Sequence, residues 1–443
     1  MDRLKRVFPK HHTKVLAVVL GLGILVHFAF FIIDHAYYSN DTGSYLVLAD
    51  NLLQKHAFIN DLDQPELERT PGYPALLALF SIPPLRVEYL IMVQHGLCVL
   101  VAIGLAAMVL KITNSSPIAL ASALVLCLDL PTITTANQLL TETVFTVFIV
   151  LGSWMLYGAA KESTGQTARL AVAGLIGGGA VLIRPIGLLY VVPVSVYLFL
   201  VLRRRTLRAM VTFAAAFLFL PLGWTVRNYL ETGYFGVSTI GAGNVLTYRA
   251  AGTLAVRQPG EYLANAEKAR AVLLEQVCNA MGRTYGRDCS QLPEAERAEY
   301  SRRMGMQIIL GNIPDYLRSM ALGVAYIIFG GGAEALSQIG HLDPQTARRV
   351  VLLISIPEAC FAVLGCWFWF RRERTLLCLI GLTIAYFLLV SAGAEAYSRF
   401  RVPVMPMYAL LVGGGLATTM RSVQRVWGII REPSALRWAK YQD

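Results

Sequence analysis

Residues 41–74 read DTGSYLVLADNLLQKHAFINDLDQPELERTPGYP, a stretch too polar to cross a bilayer although apolar sequence brackets it on both sides. Within it Tyr45, Leu46, Leu48, Ala49, Leu52 and Leu53 recur with the i, i+3, i+4, i+7 spacing of a helix that has one apolar face. The spacing predicts a helix lying along a membrane surface. Asp41 stands at its start, and Glu68, Arg69, Thr70, Pro71, Gly72, Tyr73 and Pro74 close the stretch with charges joined to a rigid turn. A carboxylate, a surface helix and an arginine therefore share one membrane face.

The 443 residues are 56% hydrophobic and only 15% charged, more apolar side chain than a soluble interior could hide. The chain reads as an all-α polytopic membrane protein. A net charge of +11 would suggest nucleic acid in a soluble protein, but here Lys and Arg gather in short loops between apolar runs, as the positive-inside rule expects. No nucleic-acid partner is implied. Arg3, Lys5, Arg6, Lys10 and Lys14 precede a first apolar run that is long for a signal peptide and lacks a clear small-residue cleavage site, so it reads as an uncleaved span.

With about 20 apolar residues needed per crossing, spans fall near 15 to 33, 89 to 110, 117 to 131, 139 to 158, 169 to 184, 186 to 202, 207 to 226, 349 to 370, 375 to 392 and 402 to 420. Lys111, Lys161 with Arg169, Arg203 to Arg205 with Arg208, Arg371, Arg372 and Arg374, and then Arg421, Arg425, Arg431 and Arg437 all fall on the side of the amino terminus. Both termini are expected in the cytoplasm, with the chain in the inner membrane. The segment Tyr316 to Gly332 has a short apolar core ended by three glycines and is expected to be re-entrant or surface-lying, since a crossing there would turn Arg371 to Arg374 outward. Counting it would bring ten spans to eleven. Three regions result: a membrane module at 1–226 with a first outer loop at 34–88, an outer helical region at 227–315, and the final helices and tail at 316–443. Within the outer region 261 to 281 and 294 to 309 read as helices.

Five of the seven cysteines lie within spans and read as small buried residues, while Cys278 and Cys289 share the outer region and can pair in an oxidising compartment. His27 and His95 lie within spans, where packing or hydrogen bonding explains them better than metal ligation.

Asp41 and Glu142 both reach the outer face, each with a plain structural alternative: Asp41 as a helix N-cap, Glu142 as a charge on a helix's positive end. The arginines of that face, Arg69, Arg184, Arg227, Arg399 and Arg401, run against positive-inside bias. Singly they suit snorkelling anchors; together they suit an anion site, because a guanidinium grips phosphate oxygens in a bidentate fork.

In their order along the chain, DTGSYLVLA from Asp41, RTPGYP from Arg69, Thr141-Glu142, Arg184-Pro185 with Gly187, Arg227-Asn228 and SRFRVP from Ser398 resemble the polytopic C-type (GT-C) glycosyltransferases. That group uses polyprenyl-phosphate sugars and contains the protein O-mannosyltransferases and the lipid A aminoarabinose transferase. The likeness covers roughly the first 230 residues and the last loop. The resemblance implies GT-C-like amphipathic helices on the outer face and inverting sugar transfer from a polyprenyl monophosphate to an envelope glycan, lipid or protein. Asp41 would be the general base, with Glu142 beside it in the catalytic site. Arg69, Arg184, Arg227, Arg399 and Arg401 would bind the donor phosphate, and Tyr45, Tyr73, Asn228 and Tyr397 would line the substrate cavity. Gly72, Gly187, Gly241 and Gly243 are further candidates for close backbone approach. Thr42 follows Asp41 where the protein mannosyltransferases carry a paired Asp-Glu, which argues against protein mannosylation. Asp41 and Glu142 also offer hard oxygen ligands of the kind Mg²⁺ or Mn²⁺ takes, though two carboxylates underdetermine a metal site. No cofactor is otherwise implied. The competing reading, a polytopic transporter or lipid-linked-sugar flippase, expects ionisable groups near the midplane and a two-fold repeat; Glu358 after Pro357 is the main residue of that kind.

Overall fold

Inside a bilayer the backbone groups of an apolar run can bond only to one another, and the chain meets that demand with helices throughout. The computed structural model describes residues 10–202, 206–286, 288–394 and 398–431. Its first half runs α1 (Lys10–Ile33), α2 (Thr42–Gln54), α3 (Gly72–Ser81), α4 (Val87–Thr113), α5 (Ser116–Cys127), α6 (Leu130–Ala136), α7 (Glu142–Lys161) and α8 (Gln166–Ile183). A 3₁₀ turn (Pro185–Tyr190) leads into α9 (Val191–Leu202), followed by α10 (Thr206–Thr232). Short pieces α11 (Ile240–Asn244) and α12 (Ala251–Ala255) flank a π-helical turn (Val245–Ala250), and α13 (Tyr262–Tyr285) and α14 (Glu294–Leu310) follow. The chain closes with α15 (Ile313–Phe329), α16 (Ala333–Ile339), α17 (Pro344–Arg372), α18 (Arg374–Ser391), a 3₁₀ turn (Ser398–Val404) and α19 (Met405–Arg431). No β-sheet occurs among the described residues, which carry one isolated bridge, Ile59 to Pro65.

Among the described residues nine helices are long and apolar enough to cross a membrane, and two bent pairs, α5 with α6 at 54° and α15 with α16 at 42°, pass the same test jointly. The single span expected at 117 to 131 is thus a broken one. The break has a local cause: Asp129 accepts the N–H of Thr132 at 3.0 Å and caps α6, with Pro131 in its first turn, so a new helix starts in mid-run. Helices also run through the divisions drawn at 226 and 315, because α10 continues to Thr232 and α15 begins at Ile313. The basic triplet Arg203 to Arg205 and the residues before Lys10 lie outside the described residues.

Two glycine-rich seams let helices close on one another. A Cβ on Gly174 would lie 2.5 Å from the Phe213 carbonyl oxygen, so α8 meets α10 backbone to backbone; Gly365 and Gly415 do the same for α17 and α19 against Leu411 and Phe361. Small-residue contact of this kind gains dispersion where lipid offers no hydrophobic drive. One chain of buried polar groups links helix to connection: His27 Nδ1 and His95 Nδ1 lie 2.8 Å apart, His95 Nε2 lies 3.1 Å from Asn137 Oδ1, and Asn137 donates to the Asp34 carbonyl at 2.8 Å.

Contacts at the helix ends sort the bundle into two faces. At one face Arg372 donates to the Ile112 carbonyl at 3.0 Å and Lys161 pairs with Glu373 at 2.7 Å, so α4, α7 and α17 end together where α18 begins. At the other lie the ends of α1 and α18, the starts of α4 and α7, and everything from α11 to α16. Gly323 within α15 lies against Gly393 just beyond α18, Ser355 Oγ of α17 donates to the Phe329 carbonyl at 3.3 Å, and α17 runs on from there to Arg372. With the five unpaired cysteines replaced by alanine, an impermeant maleimide on intact cells is expected to label Asp61→Cys and not Ser163→Cys, both positions being exposed on opposite faces. Labelling of both, or of Ser163→Cys alone, contradicts the topology.

A charged cavity at one end of the bundle

Asp41 precedes α2 but does not cap it; its side chain makes no bond to the helix start and turns to two arginines. Arg69 donates to its Oδ1 at 3.0 Å and Arg399 to its Oδ2 at 2.6 Å. Arg69 also lies over the Tyr45 ring, 5.1 Å from the centroid, one turn along the same helix. Glu142, fully buried in the first turn of α7, pairs with Arg184 at 2.5 Å and lies 3.5 Å from Arg399 Nε. Arg184 in turn donates to Thr141 Oγ1 at 2.8 Å. Arg399 therefore bridges the two carboxylates, drawing the starts of α2 and α7 onto the 3₁₀ turn before α19. Burial alone would raise the Asp41 carboxyl, but the Arg399 and Arg69 guanidiniums outweigh it and hold it below the usual carboxylate range.

These five residues and Tyr45 line a cavity of about 900 Å³. Ile183, Ile186, Leu188, Leu189 and Val390 give it an apolar wall, and Tyr248, Arg249, Arg270, Glu294 and Arg297 face it from the outer helices. Gly241 and Gly243 also line it, with nothing within 4 Å of a Cβ at either position. Gly72 and Gly187 instead admit neighbouring protein, the Leu182 carbonyl and the Phe145 ring.

Four residues expected in the site are placed elsewhere. Arg401 is buried against Asp129 at 2.8 Å and Glu358 at 3.2 Å and donates to the Ile328 carbonyl at 3.2 Å, locking the 3₁₀ turn to α6, α17 and α15. Arg227 donates to the carbonyls of Phe58 (2.8 Å) and Glu66 (3.2 Å) and lies over the Trp224 ring, holding the first outer loop on α10. Asn228 bonds the carbonyls of Gly236 and Val237 at 2.9 and 3.3 Å. Tyr73 is wholly buried, its hydroxyl 2.9 Å from Gln94 Oε1. Tyr397 lies outside the described residues. In the outer region the Cys278 and Cys289 sulfurs stand in bonding position with their Cα atoms 5.0 Å apart.

Asp41 and Glu142 were the two candidate metal ligands, and their surroundings fit a divalent ion poorly. The guanidinium of Arg399 lies between them, and among the described residues no group of three His, Cys, Asp or Glu side chains forms a ligand set.

The cavity wall has a seam between the first outer loop and the outer helices. Arg69 N–H donates to Glu66 Oε1 at 2.7 Å, Thr239 N–H to the Leu67 carbonyl at 2.9 Å, Ser238 to the Glu68 carbonyl, and Thr239 Oγ1 to Glu294. Arg249, Arg270, Arg297 and this seam escape sequence reading because each belongs to a different helix, and only the packing of the outer region brings them to one wall.

A family model described as dolichyl-phosphate-mannose-protein mannosyltransferase matches residues 68–226, which contain Arg69, Glu142 and Arg184 but neither Asp41 nor Arg399. Among solved structures, the archaeal oligosaccharyltransferase AglB from Archaeoglobus fulgidus in complex with an inhibitory peptide and a dolichol-phosphate superposes with a TM-score of 0.55. The identity is 12%, over 96% of this chain and 52% of that one. An Archaeoglobus fulgidus oligosaccharyltransferase in complex with zinc and sulfate gives a TM-score of 0.53 at 10% identity, over 92% of this chain and 49% of that one. This chain spans about half the length of those relatives. ArnT from Cupriavidus metallidurans bound to undecaprenyl phosphate superposes with a TM-score of 0.41 at 12% identity, over 92% and 78% of the two chains. No curated protein matches. The fold is shared with the archaeal oligosaccharyltransferase, and residues 68–226 match the mannosyltransferase family model.

Burial pushes the Glu66 carboxyl up to about 7, with Glu294 and Glu68 adding like charge against the help of the Arg69 N–H. An acid raised by folding contributes stability that is full below its ordinary value of 4.5 and is lost as pH climbs through about 7. Between about pH 5 and pH 8 the wild type should therefore lose on the order of 3 kcal/mol relative to Glu66→Gln, which keeps the acceptor for the Arg69 N–H. Parallel unfolding curves for the two proteins across that range would remove this account of the seam.

Proposed function

We propose that the chain transfers a sugar from a polyprenyl monophosphate carrier of the undecaprenyl or decaprenyl type to a hydroxyl on an envelope glycan, lipid or protein. Transfer takes place at the periplasmic face of the inner membrane, with inversion at the anomeric carbon. The observation that carries the proposal is Asp41 held between Arg69 and Arg399 on the wall of a cavity that also has an apolar side. A carboxylate serves a hydroxyl acceptor, guanidiniums serve a phosphate, and apolar wall serves a prenyl chain. The dolichol-phosphate bound to the archaeal relative and the dolichyl-phosphate donor in the name of the matched family are lipids of the same chemistry. Thr42 turns inward to the Leu139 carbonyl at 3.3 Å, so the residue after Asp41 adds no second carboxylate to the cavity.

The acceptor oxygen attacks the anomeric carbon on the side opposite the phosphate, and the carbon–oxygen bond to phosphate breaks with its electron pair leaving on the phosphate. The hydroxyl proton goes to Asp41, and the products are the inverted glycoside and the polyprenyl phosphate. A carboxylate clamped by two guanidiniums is a weak base, because proton affinity near the working pH favours transfer. The donor answers this: its phosphate oxygens compete with Asp41 for Arg69 and Arg399, and each contact given up restores proton affinity to the carboxylate. The same arginines then meet the charge that grows on the departing phosphate. Arg184 holds Glu142 in place behind them.

Asp41→Asn keeps size and removes the proton acceptor, so turnover with a hydroxyl acceptor and an undecaprenyl-phosphate-linked sugar should fall about 10²-fold or more with donor KM little changed. Arg399→Ala should weaken donor binding and slow turnover together. Turnover of Asp41→Asn within a few-fold of wild type would rule out the base.

A further inference from the structure

The cavity has a second charged wall that the proposed transfer does not use. Arg249 of the π-helical turn, Arg270 of α13 and Arg297 of α14 line it from the outer helices. Arg270 lies over the Tyr248 ring at 4.8 Å, and the Nε of Arg297 is buried without a hydrogen-bond partner. Arg249 is braced by the Val390 carbonyl and Met320 Sδ.

Charge balance makes the wall informative. Six arginines, Arg69, Arg184, Arg249, Arg270, Arg297 and Arg399, face four carboxylates, Asp41, Glu68, Glu142 and Glu294, an excess of two positive charges. A polyprenyl-phosphate sugar is a phosphodiester and brings one negative charge, so one positive charge is left over in a partly desolvated space. Uncompensated buried charge is costly, and a cavity that carries it is matched to an anion. Position separates the two demands. Apolar residues of the bundle, Ile186, Leu188 and Leu189, give the prenyl chain its wall, and the outer arginines stand on elements that lie beyond the bundle end.

We infer that Arg270 and Arg297, with Arg249 beside them, bind an oxyanion carried by the acceptor, a phosphate or carboxylate close to the hydroxyl that receives the sugar. The inference rests on the donor reading above and narrows it to acidic acceptors. Arginine supplies the fork that either oxyanion accepts, and the Tyr248 ring under Arg270 fixes its plane.

The test uses the full-length protein in nanodiscs loaded with an undecaprenyl-phosphate-linked sugar, whose phosphodiester brings the single negative charge of the donor. Glucose 6-phosphate, glucuronate and glucose are titrated as soluble probes, with saturable thermal stabilisation as the readout. Glucose 6-phosphate, glucuronate or both should bind saturably and glucose should not; the tighter of the two acids tells phosphate from carboxylate. Arg270→Gln with Arg297→Gln should weaken the acid about tenfold or more, the loss expected for charge-assisted hydrogen bonds, while binding of the undecaprenyl-phosphate-linked sugar stays within a few-fold. Lysine at both positions should restore most of the affinity, which sets charge apart from folding. Saturable binding of neither acid, acid binding untouched by the glutamine pair, or a parallel loss of binding of the undecaprenyl-phosphate-linked sugar in that variant would overturn the inference. Wild-type protein that takes the acids but not the undecaprenyl-phosphate-linked sugar overturns the donor reading instead, because the soluble probes are also titrated in lipid-free detergent.

Discussion

Arg399 joins Asp41 and Glu142, and three remote parts of the chain meet through that one side chain. Two opposite charges about 4 Å apart attract by about 4 kcal/mol at an effective dielectric near 20, while each ion gives up several kcal/mol of hydration to be there. Such a cluster persists only when every charge keeps a partner. Arg69 and Arg184 complete the set, so two carboxylates are held by three guanidiniums and the arrangement carries net positive charge before any ligand arrives. A phosphate entering it finds donors already aimed and has to displace a carboxylate, which couples donor binding to the state of Asp41.

The bundle serves this cluster by fixing the turn that carries Arg399. Arg401, two residues on, is buried between Asp129 and Glu358, and those carboxylates come from the helix break at α5–α6 and from the middle of α17. The break expected nowhere in an apolar run is what sets Asp129 facing Arg401. Glu358, the main residue that favoured a transport reading, is paired with Arg401 in the same cluster. Small residues along α17 and α19 then let the two helices close behind the turn.

Much of this was legible in the sequence. Apolar runs of membrane length gave an all-helical membrane fold, and the one-sided pattern of Tyr45, Leu48, Ala49 and Leu52 gave a helix, which forms at Thr42–Gln54 with Tyr45, Leu48 and Ala49 buried. Alternation also put Asp41, Glu142, Arg69, Arg184 and Arg399 at one face, and the structure gathers them. Arg399 and Arg401 looked alike in SRFRVP. They differ because the segment is a 3₁₀ turn with three residues per turn, so positions two apart point to different sides, one to the cavity and one to the bundle. Arg227 and Asn228 carried a motif-like appearance yet bond to loop carbonyls, Arg227 to the first outer loop and Asn228 to the segment that follows α10. Arg249, Arg270 and Arg297 gave no signal at all, since nothing in helical spacing tells which exposed arginine a distant helix will face.

The central claim is that donor phosphate takes Arg69 and Arg399 away from Asp41. A cryo-electron microscopy structure of the protein with undecaprenyl phosphate tests it most directly. The account predicts phosphate density within hydrogen-bond reach of both guanidiniums, with the Asp41 to Arg399 contact opened beyond about 4 Å, the limit of an ion pair. Phosphate bound elsewhere, with Asp41 still bridging Arg69 and Arg399, would contradict it.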